Sequence, residues 1–203
     1  MAREADVEAR LKRWEALLAA ARKVLAERGL EAATVAEIVA RAGVAQGTFY
    51  LYFPSKLAVV FALTEEMNTA VLVAVGRAFA LAGSLGEGID RAVAEAFRVM
   101  GSYRDVLGIV RSRAGVAGVS GEWRALDERF EQVMAGLIQG AQAAGQAPAS
   151  VDAVIAARLI RGLIDHAGYA CFVEGAGEQE GAFIAEVARV MRAMLGVAPG
   201  RQR

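Results

Sequence analysis

The sequence predicts an all-α protein: an N-terminal three-helix domain carrying a helix-turn-helix over residues 1–53, then a larger helical bundle over residues 54–203, about nine helices in all. Three observations carry this expectation. Ala, Leu, Val, Arg and Glu dominate a chain with only three prolines, a composition that favours helix over strand. Apolar residues recur at three- and four-residue steps along most of its length. Gly, Ser, Thr and Pro punctuate these runs where helices start and stop. With 56% hydrophobic residues in 203, the chain can bury a sizeable core.

The elements follow in order. Val7, Leu11, Trp14, Leu18, Ala21 and Leu25 form one face of a first helix, which Gly29 ends. Thr34 and Glu37 have the spacing of a capping box. Val35, Ile38, Val39 and Ala42 give the short second helix its apolar stripe, and Gly43 closes it. A third helix over about 46–53 turns Phe49 and Phe53 inward and Tyr50 outward. Pro54-Ser55 opens a long fourth helix to about Gly83, with Gly83–Gly86 as a turn. Helices are then expected over about 87–101, 103–117, 122–144, 151–174 and 178–195, with a Gly/Ser loop at 118–121 and a frayed tail.

Bulk properties exclude several functions. Formal net charge is zero, and residues 1–53 hold eight basic against seven acidic residues, so any nucleic-acid contact must rest on placed groups rather than on a basic cloud. Cys171 is the only cysteine, which rules out an internal disulfide or a multi-cysteine metal site and fits a reducing cytoplasm. The charged N-terminus lacks the apolar stretch of a secretory signal. Charged residues such as Glu65, Glu66 and Arg77 interrupt the apolar runs, so no stretch is expected to reach the roughly 18 residues of a membrane span. One histidine, His166, with Leu163 rather than Glu three residues before it, supplies neither a catalytic triad nor a bundle-type metal motif. No enzyme, metal site or cofactor is expected.

Residues 34–53 carry the functional signal: helix, short turn at Gly43, second short helix. Gln46, Thr48, Tyr50, Tyr52 and Lys56 gather on and just after the second of these. Gln can pair bidentately with adenine and Thr can reach a base or phosphate. Tyr hydroxyls and Lys suit phosphate oxygens, and Gly47 lets backbone come close to DNA.

The run G-V-A-Q-G-T-F-Y-L-Y-F-P-S-K over residues 43–56, preceded by T-V-A-E-I-V-A-R-A from Thr34 and L-L-A-A-A-R-K-V-L-A-E-R-G from Leu17, resembles the TetR family of bacterial regulators. The motif resemblance spans residues 13 to about 60; beyond that it is one of architecture. It implies a transcriptional regulator, a repressor of a palindromic double-stranded operator released by a small lipophilic effector, working as a cytoplasmic homodimer. By position it makes Thr34 a cap that touches phosphate. Gln46 and Thr48 then face the major groove, Tyr50 and Tyr52 meet phosphate or base edges, and Lys56 binds phosphate. Ala45, where the family often has a capping Ser, leaves the third helix less well capped. Ala36 stands where some members carry a basic base-reader, so specificity must rest on fewer side chains or on DNA shape.

The second domain offers candidates for two further surfaces. Phe61, Met67, Phe79, Met100, Phe130 and Met134 are apolar residues between helices, where bundles place ligand sites. Tyr103, Arg104, Arg111 and His166 could hold a polar or acidic head, acyl-CoA-like in character. Leu159, Leu163 and Ala167, with Phe183, Val187 and Met191 on the last helix, are apolar around much of both girths. That pattern fits an intersubunit four-helix bundle or a helix pair buried in one subunit, and the resemblance favours the dimer. An effector-less constitutive regulator or a protein-interaction module is the alternative.

Overall fold

The computed structural model describes residues 2–112, 121–175 and 177–197. Among them every regular element is helical, in the order α1 Ala2–Ala32, α2 Val35–Ala42, α3 Gln46–Tyr52, α4 Lys56–Ala80, α5 Leu85–Ser102, α6 Arg104–Ser112, α7 Gly121–Ala143, α8 Ala153–Tyr169 and α9 Glu180–Met194. A π-helical segment, Ala170–Glu174, follows α8 directly. The expected continuation of α6 to 117, most of the 118–121 loop and the end of the tail lie outside the described residues.

Two compact units make up the chain. The first holds α1, α2, α3 and α4 up to Glu66, with α6 from Gly108; the second holds α4 from Met67, α5, α6 up to Leu107, and α7 to α9. The parting thus falls inside α4, downstream of the boundary the sequence suggests at Pro54.

In the first unit, α1 breaks at Gly29, whose φ of 77° and ψ of 169° leave the helical region. Leu17, Leu18, Ala21, Val24 and Leu25 are its buried face. α2 starts on the predicted capping box and ends on Gly43 at φ 68°, ψ 32°, a left-handed position that glycine takes without Cβ strain. Arg41 grips the Glu27 carboxylate with both guanidinium nitrogens, at 2.6 and 2.8 Å, and so ties α2 to α1. Phe49, Phe53 and Trp14 stack in series, with ring centroids 5.7 and 6.2 Å apart. These rings fix the roll of α3.

The second unit is built around α5, α7, α8 and α9. Ser84 caps α5 by accepting from the Glu87 amide, so the helix begins two residues earlier than the periodicity indicates. Ile89, Val93 and Phe97 on α5, Ile160 and Ile164 on α8, and Val187 and Met191 on α9 are buried. Each such side chain contributes about 1.5–3 kcal/mol relative to exposure. Gly168 permits the close crossing of α8 on α5: a Cβ there would stand 1.7 Å from the Met100 methyl. Arg192 of α9 clasps Asp90 of α5, with Nε 2.8 Å from Oδ1. Arg161 of α8 reaches Asp127 of α7 at 3.0 Å and lies 4.7 Å over the Phe130 ring. Asp152 caps α8, its Oδ1 accepting from the amides of Val154 and Ile155 at 3.0 Å each.

One expectation needs correcting. α4 is long and apolar enough to cross a membrane by length and composition, with a mean hydropathy of 1.6 in its most apolar window. Glu65 and Glu66 interrupt that stretch, but two charges are too few to bring down an average over 18 residues. Of that window 56% is buried inside the fold. Val59, Val60, Leu63, Met67, Val71 and Val75 are all buried, the pattern of a core helix.

Candidate functional site

The outer face of α3 follows from its inner one. At about 100° per residue, burying Phe49 and Phe53 turns Gln46, Gly47, Tyr50 and Leu51 outward, and all four are exposed. Thr48 and Tyr52 flank that arc and are half-buried. The exposed Tyr50 ring stands at 86° to that of Phe49, with centroids 5.4 Å apart. The Thr48 amide donates to the Ala45 carbonyl at 2.9 Å, and no side chain caps the helix at Ala45, as the sequence indicates.

Leu51 is the residue the sequence reading passed over. It is 82% exposed, the most exposed large apolar side chain described. Its helical phase, one turn beyond Gly47, was the available signal. An exposed leucine on a groove-facing helix has the chemistry to meet a thymine methyl.

Two expected phosphate contacts are engaged within the protein. The Thr34 hydroxyl accepts from the Glu37 amide at 3.2 Å and donates to Glu37 Oε2 at 2.9 Å, while the Thr34 amide donates to the same carboxylate oxygen at 3.0 Å. These bonds to Thr34, with the nearby Arg28 and Arg41 guanidinium groups, hold the Glu37 carboxyl below its usual range. Lys56 is half-buried rather than extended into solvent. Its ammonium donates to the Ala33 carbonyl at 2.6 Å and the Glu31 carbonyl at 3.2 Å, stapling the α1–α2 turn to the start of α4. Of its three N–H donors, one remains for an anion. Tyr52 lines a notch with Val7, Arg10, Leu11 and Trp14 of α1.

The expected effector residues do not come together in a described cavity. Met67, Met100, Phe130 and Met134 are buried. Met100 fills the space over Gly168, Phe130 is covered by Arg161, and the half-buried Phe79 ring packs against Gly88. Large apolar side chains that fill such gaps are core, and sequence does not separate them from cavity walls. Phe61 is half-buried and belongs to the first unit. Tyr103 is half-buried and Arg104 exposed. The side chains of Arg111 and Arg113 lie outside the described residues. His166 is exposed and leaves the pocket set: with Ile155, Leu159 and Gly162 it forms an outward stripe on α8 at helical spacing.

The expected dimer seam also changes. Leu159 is 56% exposed, and Leu163 and Phe183 are half-buried. Ala167, Val187 and Met191 are buried within a single chain, at 6%, 3% and 1% exposure. They pack into the second unit's own core. Apolar content around the whole girth of α8 hid which arc faces inward. Ile155, which the sequence reading counts in the apolar girth of this helix, and Val154, which it passes over, are more than half exposed beside Leu159.

Comparison with known proteins bears on both units. Residues 17–63 match the family model described as bacterial regulatory proteins, tetR family. An uncharacterized HTH-type transcriptional regulator of Bacillus subtilis (strain 168), YvdT, is 27% identical over 154 residues, 76% of this chain and 79% of that protein. The fold resembles that of the fatty acid degradation regulator FadR from Bacillus halodurans, with a TM-score of 0.75 at 20% identity over 94% of this chain and 97% of that one. It also resembles a FadR from Bacillus subtilis solved in complex with stearoyl-CoA, with a TM-score of 0.73 at 18% identity over 92% of this chain and all of that one.

Proposed function

We propose that this chain, which belongs to the TetR family of bacterial regulatory proteins, represses transcription by binding a palindromic operator as a cytoplasmic homodimer, and that a small, mainly apolar effector with an acidic or acyl-CoA-like head releases it. It is a transcriptional regulator and not an enzyme. The observation that carries the DNA-reading assignment is the exposed arc of α3, Gln46, Gly47, Tyr50 and Leu51, held in place by the buried rings of Phe49 and Phe53. Gln46 and Leu51 read base edges, with Thr48 at the margin of the arc; Tyr50 and the remaining N–H of Lys56 contact phosphate. Val154, Ile155 and Leu159 on the outer face of α8 meet their two-fold equivalents. The dimer sets its two α3 helices about 34–36 Å apart, one turn of DNA.

The effector reading rests on the apolar composition of the second unit and on the likeness of its fold to a regulator solved with stearoyl-CoA. Its coupling to DNA runs through α4, which begins with Lys56 and continues into the second unit. Selection of bound fragments from the source genome, followed by titration of the recovered duplex with and without acyl-CoA thioesters, tests both parts. Recovery of a palindrome supports the first, and a thioester-dependent loss of affinity of roughly 5–150-fold supports the second. A recovered palindrome whose affinity no thioester or fatty acid changes would leave a constitutive regulator.

A further inference from the structure

A groove of about 660 Å³ runs between α4 and α5 within the second unit. Ala70, Ala74 and Ala78 from α4 and Ala94 from α5 form its floor, small side chains that leave the trough open. Two large apolar residues stand along it in solvent, Val73 of α4 at 53% and Leu81, just past its end, at 73% exposure. Arg77 lies midway between them, four residues from each, so the three share one helical stripe. The groove's charged lining is Arg77, Arg91, Arg98 and Glu95, a surplus of positive charge over an apolar bed. These three arginines are not equivalent. Arg91 pairs with Glu87 and Arg98 with Glu95, each at 2.7 Å. The Arg77 side chain has no hydrogen bond or ion pair among the described residues.

We infer that this groove binds a single-chain amphiphile with an anionic head, a medium- or long-chain carboxylate, with the chain on the alanine floor and the head on Arg77. The volume lies within the range of small-ligand sites. From Ala70 to Leu81 the stripe is roughly 16 Å long at the helical rise per residue, the scale of one extended acyl chain. Val73 and Leu81 lose water when the chain lies between them. A carboxylate takes two parallel bonds from a guanidinium fork, which a neutral head group cannot match. None of the residues proposed from sequence for the effector lines this groove. Its consequence for transcription rests on the effector-released regulator proposed above; binding itself does not.

Calorimetric titration of the full chain with dodecanoate and with dodecanol, each below its aggregation concentration, tests the site. The parent should bind dodecanoate roughly tenfold or more tighter than dodecanol, as a charge-assisted pair requires. Arg77→Gln should abolish that preference and leave dodecanol binding unchanged. Leu81→Glu should weaken both ligands. Both positions are exposed, so both variants should melt with the parent. A parent that binds neither ligand, or an Arg77→Gln variant that keeps the preference, would overturn the inference. So would unchanged dodecanoate binding in both variants together with a shift in their sedimentation, because the groove would then hold a second copy of the chain. Dodecanoate bound through Arg77 without any change in operator affinity would keep the site and overturn its coupling to DNA.

Discussion

Lys56 and Tyr50 stand within a few residues of each other and should fail in different ways. Lys56 is committed to the carbonyls of Glu31 and Ala33, whereas the Tyr50 ring points outward. Lys56→Met should therefore lower the melting temperature, through loss of charge-assisted bonds worth on the order of 1–3 kcal/mol, as well as DNA affinity. Tyr50→Phe should leave stability alone, weaken binding to every sequence alike and reduce the salt slope by no more than about one. Gln46→Ala and Leu51→Ala should instead lose discrimination at one or two base pairs, by about 1–3 kcal/mol each. Thermal melts and titrations over a salt series separate the three behaviours. The outer arc of α3 was legible in the sequence because a short helix held by the buried rings of Phe49 and, just past its end, Phe53 has only one outer arc. That Lys56 spends its ammonium inside the protein was not legible. Each partner of Lys56 is a backbone carbonyl more than twenty residues away, which no local pattern encodes.

At the level of elements, the capping box of α2 gives a pH-dependent prediction. Glu37 accepts from Thr34, and Glu27 is gripped by Arg41; both carboxyls are thereby held below their ordinary value of 4.5. A carboxyl with a lowered folded-state value contributes stability that is present above its ordinary value and is lost as pH falls through the folded one. Thr34→Ala should cost about 1 kcal/mol at neutral pH and distinctly less once the pH has fallen through the lowered folded-state value of Glu37, where the carboxylate acceptor is protonated in the parent too. Equal destabilisation at both pH values would show that the Glu37 carboxylate contributes nothing to the box. Helix starts were legible wherever a cap was recognised, as at Thr34. The start of α5 was misjudged because Ser84 was taken into the turn rather than as its cap. The expected end near 174 coincides with the end of the helical run after α8, whose last turn, Ala170–Glu174, is π-helical.

For the whole molecule, assembly separates two substitutions that the sequence alone treats as equivalent. Met191 is 1% exposed in a single chain and Leu159 is 56% exposed. Met191→Arg should unfold the second unit, since it buries an unpaired charge. Leu159→Arg and Ile155→Arg should give folded monomers with weakened operator binding. Sedimentation with circular dichroism distinguishes these outcomes, and a folded dimer of both α8 variants would move the seam elsewhere. The helix count and the two-part architecture followed from periodicity and from the motif at 43–56. Which arc of α8 faces its own core did not. Apolar residues surround that helix, and only packing against α7, α5 and α9 chooses a side.

Regulation by this chain turns on α3 as a reader of double-stranded DNA. The most direct measurement compares the parent and the Gln46→Ala, Leu51→Ala double variant on a duplex recovered by genomic selection and on a scrambled duplex, at one fixed salt concentration. The parent should prefer the recovered duplex by at least about a thousandfold. The double variant should lose most of that preference while its affinity for the scrambled duplex stays within a few-fold. A parent with no preference, or a double variant that keeps the parent's preference intact, would contradict it.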